Sequence, residues 1–187
     1  MQNALLFLLK TVAELYLATF LLRFIMQWVR ADYYNPAAQF ILKVTSPLVI
    51  PARRFLPSIK GLDFPTLVVL ALLQCVVTWL LIAVATGGAV GPGREMSVAS
   101  FLAFVALGLV NLTLMVYTLV ILVYALLSFV NRGYNPIETW LGQIAEPLLK
   151  PVRRVIPPIG GLDLSPLIVI LLLQAVRIAL PLPLFLR

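Results

Sequence analysis

The sequence predicts an all-α membrane protein: four transmembrane helices in two parallel repeats, each with a short amphipathic interfacial helix in its cytoplasmic segment. Three observations predict it. The 187 residues are 62% hydrophobic and only 11% charged, with a mean hydropathy of +1.06, where a soluble domain is roughly half apolar and about a quarter charged. The apolar residues are gathered into four long runs. Finally, sliding the chain by 100 residues superimposes its second half on its first.

The first run, 3–29, is broken only by Lys10, Glu14 and Arg23. Lys10 splits the apolar stretch that a signal peptide would need, and no small-x-small cleavage site follows, so it reads as a retained span. Residues 64–86 carry no charge, and neither do the 36 residues between Glu95 and Arg132. These give spans at 65–86 and 98–130, the second too long for a ~30 Å hydrocarbon core unless it tilts or projects. A last span at 165–185 is interrupted by Arg177, and Pro181 and Pro183 should end or loosen it. The first repeat is therefore 1–86, the connection 87–97 and the second repeat 98–187.

Segments 30–64 and 131–163 hold nine of the 14 basic residues: Arg30, Lys43, Arg53, Arg54, Lys60, Arg132, Lys150, Arg153 and Arg154. The positive-inside rule places both in the cytoplasm and both termini in the periplasm. Trp28, Tyr33, Tyr34, Tyr134 and Trp140 belong at the inner interface. Asn35-Pro36 and Asn135-Pro136 pair a good N-cap with proline at the first helical position. Behind them, Ala37, Phe40, Ile41, Val44 and Leu48, and Ile137, Trp140, Leu141, Ile144 and Leu148, recur at helical spacing. Each predicts a one-sided helix of about three turns, ended by the prolines at 47/51 and 147/151 and lying in the interface. A re-entrant path is the alternative.

From 34 to 76, 19 of 43 positions are identical to those at 134–176 without a gap. Two spans per unit mean that both copies sit the same way up. The run Pro147-Leu-Leu-Lys-Pro151-Val-Arg153-Arg154-Val-Ile-Pro157-Pro158-Ile-Gly160-Gly161-Leu-Asp163-Leu-Ser165-Pro166 resembles the signature of the YggT (YlmG-like) membrane protein family. In the first copy Lys60 replaces the first glycine, and Pro65-Thr66 replaces Ser-Pro. The resemblance covers essentially the whole chain as two units and implies a bacterial inner-membrane protein of the proteobacterial, two-unit type. Single-unit relatives are linked to cell division, nucleoid distribution or haem attachment to cytochrome b6. The two-unit form is associated with osmotic stress and potassium homeostasis. No catalytic mechanism comes with the resemblance.

With no histidine and one cysteine, Cys75, histidine acid–base chemistry, His/Cys metal ligation and intrachain disulfides are excluded. No catalytic residue, metal or cofactor is expected, and the protein reads as a non-enzyme. Cys75 reads as a small buried apolar residue. The pairs Arg53-Arg54 and Arg153-Arg154 can bind phosphate headgroups or an acidic partner through bidentate geometry; the simpler reading is that they only fix orientation. Asp63 and Asp163 suit a helix cap or an ion pair with the arginine of the same hairpin, against a catalytic or ion-binding carboxylate. Gln74 and Gln174, near mid-bilayer, read as hydrogen-bonding glue between helices, or as lining of a polar path. Lys10, Glu14 and Arg177 lie deep in their spans; the reading is a Glu14–Arg177 ion pair joined by Lys10, against snorkelling to the outer headgroups. Expected partners are membrane lipids, a membrane or cytoplasmic protein and further copies of the chain, with no nucleic acid. A small transport component or ion-handling channel subunit is the competing function.

Overall fold

A computed structural model describes residues 2–56, 63–93, 95–130, 135–156, 163–183 and 186. Lys60, Arg132 and Tyr134, the glycines before Asp63 and Asp163, and Arg94 lie outside them. Six helices occur among the described residues: α1 (Gln2–Val29), α2 (Pro36–Phe55), α3 (Phe64–Thr86), α4 (Val98–Val130), α5 (Pro136–Val155) and α6 (Ser165–Ala179).

Helices α1, α3 and α4 are long and apolar enough to cross a membrane. The fourth run behaves differently. Helix α6 stops at Ala179, six residues short of the expected end, because Pro181 forces Leu180 into an extended conformation (φ −65°, ψ 132°). Its 15 residues rise about 22 Å, less than the ~30 Å hydrocarbon core.

The two amphipathic helices depart from expectation in the other direction. Each is 20 residues long and runs through both of its prolines. Pro47, Pro51, Pro147 and Pro151 all lie on the exposed side, where the carbonyls they leave without a donor can be solvated. The helix therefore continues past them instead of ending. The cap expectation is met: Asn35 accepts from the Ala37 N–H and Asn135 from the Ile137 N–H, each at 2.9 Å. The buried stripe is rotated from the expected one. It is Ala38, Ile41, Thr45 and Val49 in α2, and Trp140, Leu141, Ile144, Ala145 and Leu149 in α5. Phe40, Leu48 and Ile137 are exposed, so α2 turns small and branched residues to the bundle, α5 adds Trp140 to them, and each keeps a second apolar edge outside.

Helix α1 packs on α2 and α3, and α4 on α5 and α6; between the units, α1 meets α4 and α5, and α3 meets α4. One buried core draws on all six, with Phe20, Met26, Val49, Leu70, Ile121, Ile144 and Val169 among its members. The length of α4 has a use here. Its 33 residues rise about 50 Å, roughly 20 Å more than hydrocarbon requires. Tyr124, two turns from its end, packs on α5 at Gly142. The excess is a docking surface for α5, which lies alongside the last turns of α4. At the opposite end α3 is closed by Gly87 at φ 62°, in the left-handed region that glycine enters without strain.

Candidate functional site

The arginine pairs sit in the last turn of α2 and α5, and the aspartates stand just before α3 and α6. Ten residues separate Arg53 from Asp63 and Arg153 from Asp163, and each pair closes its hairpin. Arg53 Nη2 donates to Asp63 Oδ2 at 2.7 Å, and Arg153 Nε to Asp163 Oδ2 at 2.8 Å.

Around this shared latch the units differ. Asp63 is 1% exposed, and the same Oδ2 accepts from Thr66 Oγ1 at 2.7 Å and lies 3.6 Å from Arg23 Nε. Arg23, itself buried, donates to Thr45 Oγ1 at 2.7 Å. Asp63 Oδ1 is buried and has no hydrogen-bond partner among the described residues. In the second unit the Asp163 side chain is 30% exposed; Arg153 also bridges Glu146 at 2.9 Å and reaches the Tyr124 hydroxyl at 3.4 Å. Asp163 Oδ1 accepts from the Ser165 N–H at 2.9 Å, capping α6, whereas Asp63 makes no such cap bond to α3. Burial pushes the Asp63 carboxyl up, but the Arg53 and Thr66 hydrogen bonds and the Arg23 charge outweigh it and hold it below the usual carboxylate range. Asp163 is held low in the same direction, burial being overcome by the Ser165 N–H and Arg153.

The arginines of each pair thus have different occupations. Arg53 and Arg153 are committed to carboxylates. Arg54 and Arg154 are exposed and make no ion pair among the described residues. Lys43 and Lys150 are likewise exposed.

The two units are stitched together at this end. Asn35 Nδ2 donates to the Pro136 carbonyl at 2.7 Å, and the Asp32 N–H to Gln143 Oε1 at 2.9 Å.

The intramembrane polar residues assemble at the opposite half of the seam. Lys10 Nζ lies 3.7 Å from Glu14 Oε1. Arg177 Nε donates to Asn111 Oδ1 at 2.9 Å. The expected Glu14–Arg177 ion pair is not formed. It needed α1 beside α6, and α6 instead packs on α4 and α5, so the arginine finds an amide on α4. Gln174 Nε2 reaches Thr118 Oγ1 on α4 at 3.3 Å. Gln74 Nε2 instead bonds Thr78 one turn along its own helix, at 3.3 Å, with its amide against Gly108 of α4. Glu14, Gln74, Thr78 and Asn111 line an internal cavity of about 20 Å³, room for roughly one water. Cys75 is partly buried and free.

Sequence reasoning passed over Arg23, Asn111, Thr45 and Thr66. A signal was there: Arg23, Thr45 and Thr66 stand opposite Val123, Ala145 and Pro166 in the second copy, so the polar side chains of the buried latch are present or replaced as a set.

Comparison with known proteins follows the same two-part layout. The CCB3/YggT family matches residues 2–84 and 103–184. The protein of Escherichia coli (strain K12) called "Uncharacterized protein YggT" is 39% identical over 176 residues, covering 94% of this chain and 88% of its own. A Vibrio alginolyticus protein, "Uncharacterized protein in proC 3'region", is 40% identical over 177 residues, covering 92% and 91%. An uncharacterized Pseudomonas aeruginosa protein is 39% identical over 177 residues, covering 94% and 87%. No solved structure gives a significant match. With both halves matched by one family and full-length relatives at this identity, the chain belongs to the CCB3/YggT family.

Proposed function

We propose that this chain is a non-enzymatic, four-span protein of the bacterial inner membrane whose doubled basic face, turned to the cytoplasm, holds anionic lipid headgroups. One observation carries the reading: at the same place in both units an exposed, unpaired arginine, Arg54 or Arg154, stands next to an exposed apolar side chain. Phe55 is 84% exposed and Val155 79%. A free guanidinium beside a free hydrocarbon suits the boundary between headgroup and acyl chain, where each finds its own solvent. Of the nine basic residues on these segments, the seven other than Arg53 and Arg153 supply attraction of about 1 kcal/mol each near an anionic leaflet.

The test is lipid co-purification from bilayers of mixed composition. The wild-type protein should carry anionic phospholipid in excess of its bulk share, and Arg54→Ala with Arg154→Ala should remove most of that excess. Lysine at both positions should restore only part, because the planar fork is lost. Unchanged enrichment in the alanine protein ends the reading. Enrichment lost without arginine dependence on lipid charge would point to an acidic protein partner on the same face.

The intramembrane cavity favours a second reading, a small transport component with Glu14, Gln74 and Asn111 on the path. Purified protein in liposomes should then pass small ions above the protein-free rate, and Asn111→Leu should abolish the difference.

A further inference from the structure

A groove of about 570 Å³ opens between the end of α1, the middle of α4 and the outer side of α5. Its floor is Trp28, Val29, Tyr117 and Leu148, and its rim carries Gln143 and Lys150. We propose that this groove is a specific site for one anionic phospholipid, with an acyl chain along the aromatic and aliphatic floor and the phosphate on Lys150 and the Gln143 amide. The proposal rests on the headgroup-binding reading and gives it a defined address.

Charge, size and position each point to that occupant. Glu146 on the rim bridges Arg153 at 2.9 Å, while Lys150 is exposed and makes no ion pair among the described residues. Gln143, which also lines the groove, spends its oxygen on the Asp32 N–H at 2.9 Å, so its amide N–H groups are what it has to offer an anion. Lys150 and Arg154 are four residues apart on α5, hence on one face, so the rim continues the basic surface. A soluble phosphate has no use for the floor, where Trp28 is 68% exposed. One hydrocarbon chain of the surrounding leaflet fits, and its phosphate arrives at the headgroup level where the basic residues stand.

The site belongs to one seam only. At the repeat-related positions Trp28 becomes Ser128, Lys150 becomes Ile50 and Tyr117 becomes Leu17. The stoichiometry is therefore one per chain, although the fold is doubled.

Native mass spectrometry of the delipidated full-length protein, titrated with phosphatidylglycerol or phosphatidylcholine, tests this. One phosphatidylglycerol should bind before any other lipid and resist competition by inorganic phosphate. Lys150→Gln should weaken that first adduct about tenfold or more, the scale of one charge-assisted hydrogen bond. Trp28→Ala should weaken it too, and Lys43→Gln, on the equivalent helix of the other unit, should not. A first adduct that is equally strong with phosphatidylcholine, or indifferent to Lys150→Gln, overturns the groove. The broader reading is scored apart: the Arg54→Ala, Arg154→Ala protein should lose bulk enrichment and keep its single tight adduct. Displacement by inorganic phosphate would mean an anion site without a lipid, and would also defeat the proposal.

Discussion

In the first unit the hairpin latch is enclosed: Asp63 is 1% exposed, wedged between Arg53, Thr66 and the buried Arg23. In the second unit the same ten-residue latch stands in the open, with Asp163 30% exposed, Glu146 50% and Arg153 29%. Identical chemistry therefore does different work. A solvated pair exchanges water for a partner at little net gain, and its worth is of the order of 0–1 kcal/mol. An enclosed pair is poor at adding stability but costly to break, since the survivor is left charged without water. The first unit has made its latch obligatory by burying Arg23 against it. The second leaves its aspartate part-exposed and gives Arg153, at 29% less exposed than Arg53 at 48%, the further partners Glu146 and Tyr124.

The largest predicted effect tests that asymmetry. Asp63→Ala strands Arg23 and should cost about 3–5 kcal/mol, seen as a lower unfolding midpoint in detergent or a lost folded fraction. Adding Arg23→Leu should recover much of it, because the buried charge goes with its partner. Failure of the second change to rescue would mean that Arg23 is not paired through Asp63. The same latch sets an acid limit. Asp63 is held below the usual carboxylate range in the fold, so between the folded and unfolded values the unfolded chain binds more protons. The stability it supplies is complete above the unfolded value, about 3.9, and is lost as pH falls through the folded one. Thermal midpoints should be flat down to about pH 4 as far as this group is concerned and fall below it. Asp63→Asn should flatten that acid limb.

Next in size is the seam that the second unit alone carries. Asn111 is 2% exposed and holds Arg177 at 2.9 Å, where the first unit has Thr11 and Val77. Asn111→Leu leaves the guanidinium without its acceptor and should cost about 1–3 kcal/mol. In double-mutant cycles, Arg177→Val should couple more strongly to Asn111→Leu than to Glu14→Leu. The reverse order would restore the ion pair that the helix arrangement denies. Below this comes Asp163→Ala, the exposed counterpart of the first test, expected at about 0–1 kcal/mol in the same assay. A loss as large as that of Asp63→Ala would erase the distinction between the units.

Much of this was legible from residue order, and the boundary of legibility is physical. The spans at α3 and α4 and both asparagine caps follow from local rules, apolar length and an N-cap before proline; for the two aspartates residue order offered a helix cap or an ion pair with the hairpin's arginine, without saying which arginine. The pairing of Glu14 failed because depth along an axis says nothing about which helices touch; Arg177 reached Asn111 instead. The helix stops at 47/51 and 147/151 failed for a related reason. A proline costs a helix one hydrogen bond and a clash with the preceding turn, and whether packing of the buried face outweighs that cost is a tertiary property. Arg23 was only a break in the first apolar run until α2 brought Thr45 within 2.7 Å.

The smallest effect concerns how closely α5 approaches α4. Gly142 stands where the first unit has Leu42, and a Cβ there would lie 3.1 Å from Tyr124 Cε2. The contact is a few tenths of an ångström too tight. The ring is partly exposed, packs on the edge of the core and accepts a long 3.4 Å bond from Arg153, so it can yield by that amount. Against that, alanine gains about 0.5–1 kcal/mol over glycine within a helix. Gly142→Ala should therefore be neutral or stabilising by less than about 1 kcal/mol, with the midpoint raised slightly and the Tyr124–Arg153 contact loosened. Gly108 makes the control, because a Cβ there would fall 2.5 Å from Gln74 Nε2. The buried amide would have to leave Thr78, and the helical gain is offset by a lost hydrogen bond of about 0.5–1.5 kcal/mol. If Gly142→Ala proved the more harmful of the two, the α4–α5 contact, and not the polar seam, would be the tightly fitted surface of the second unit.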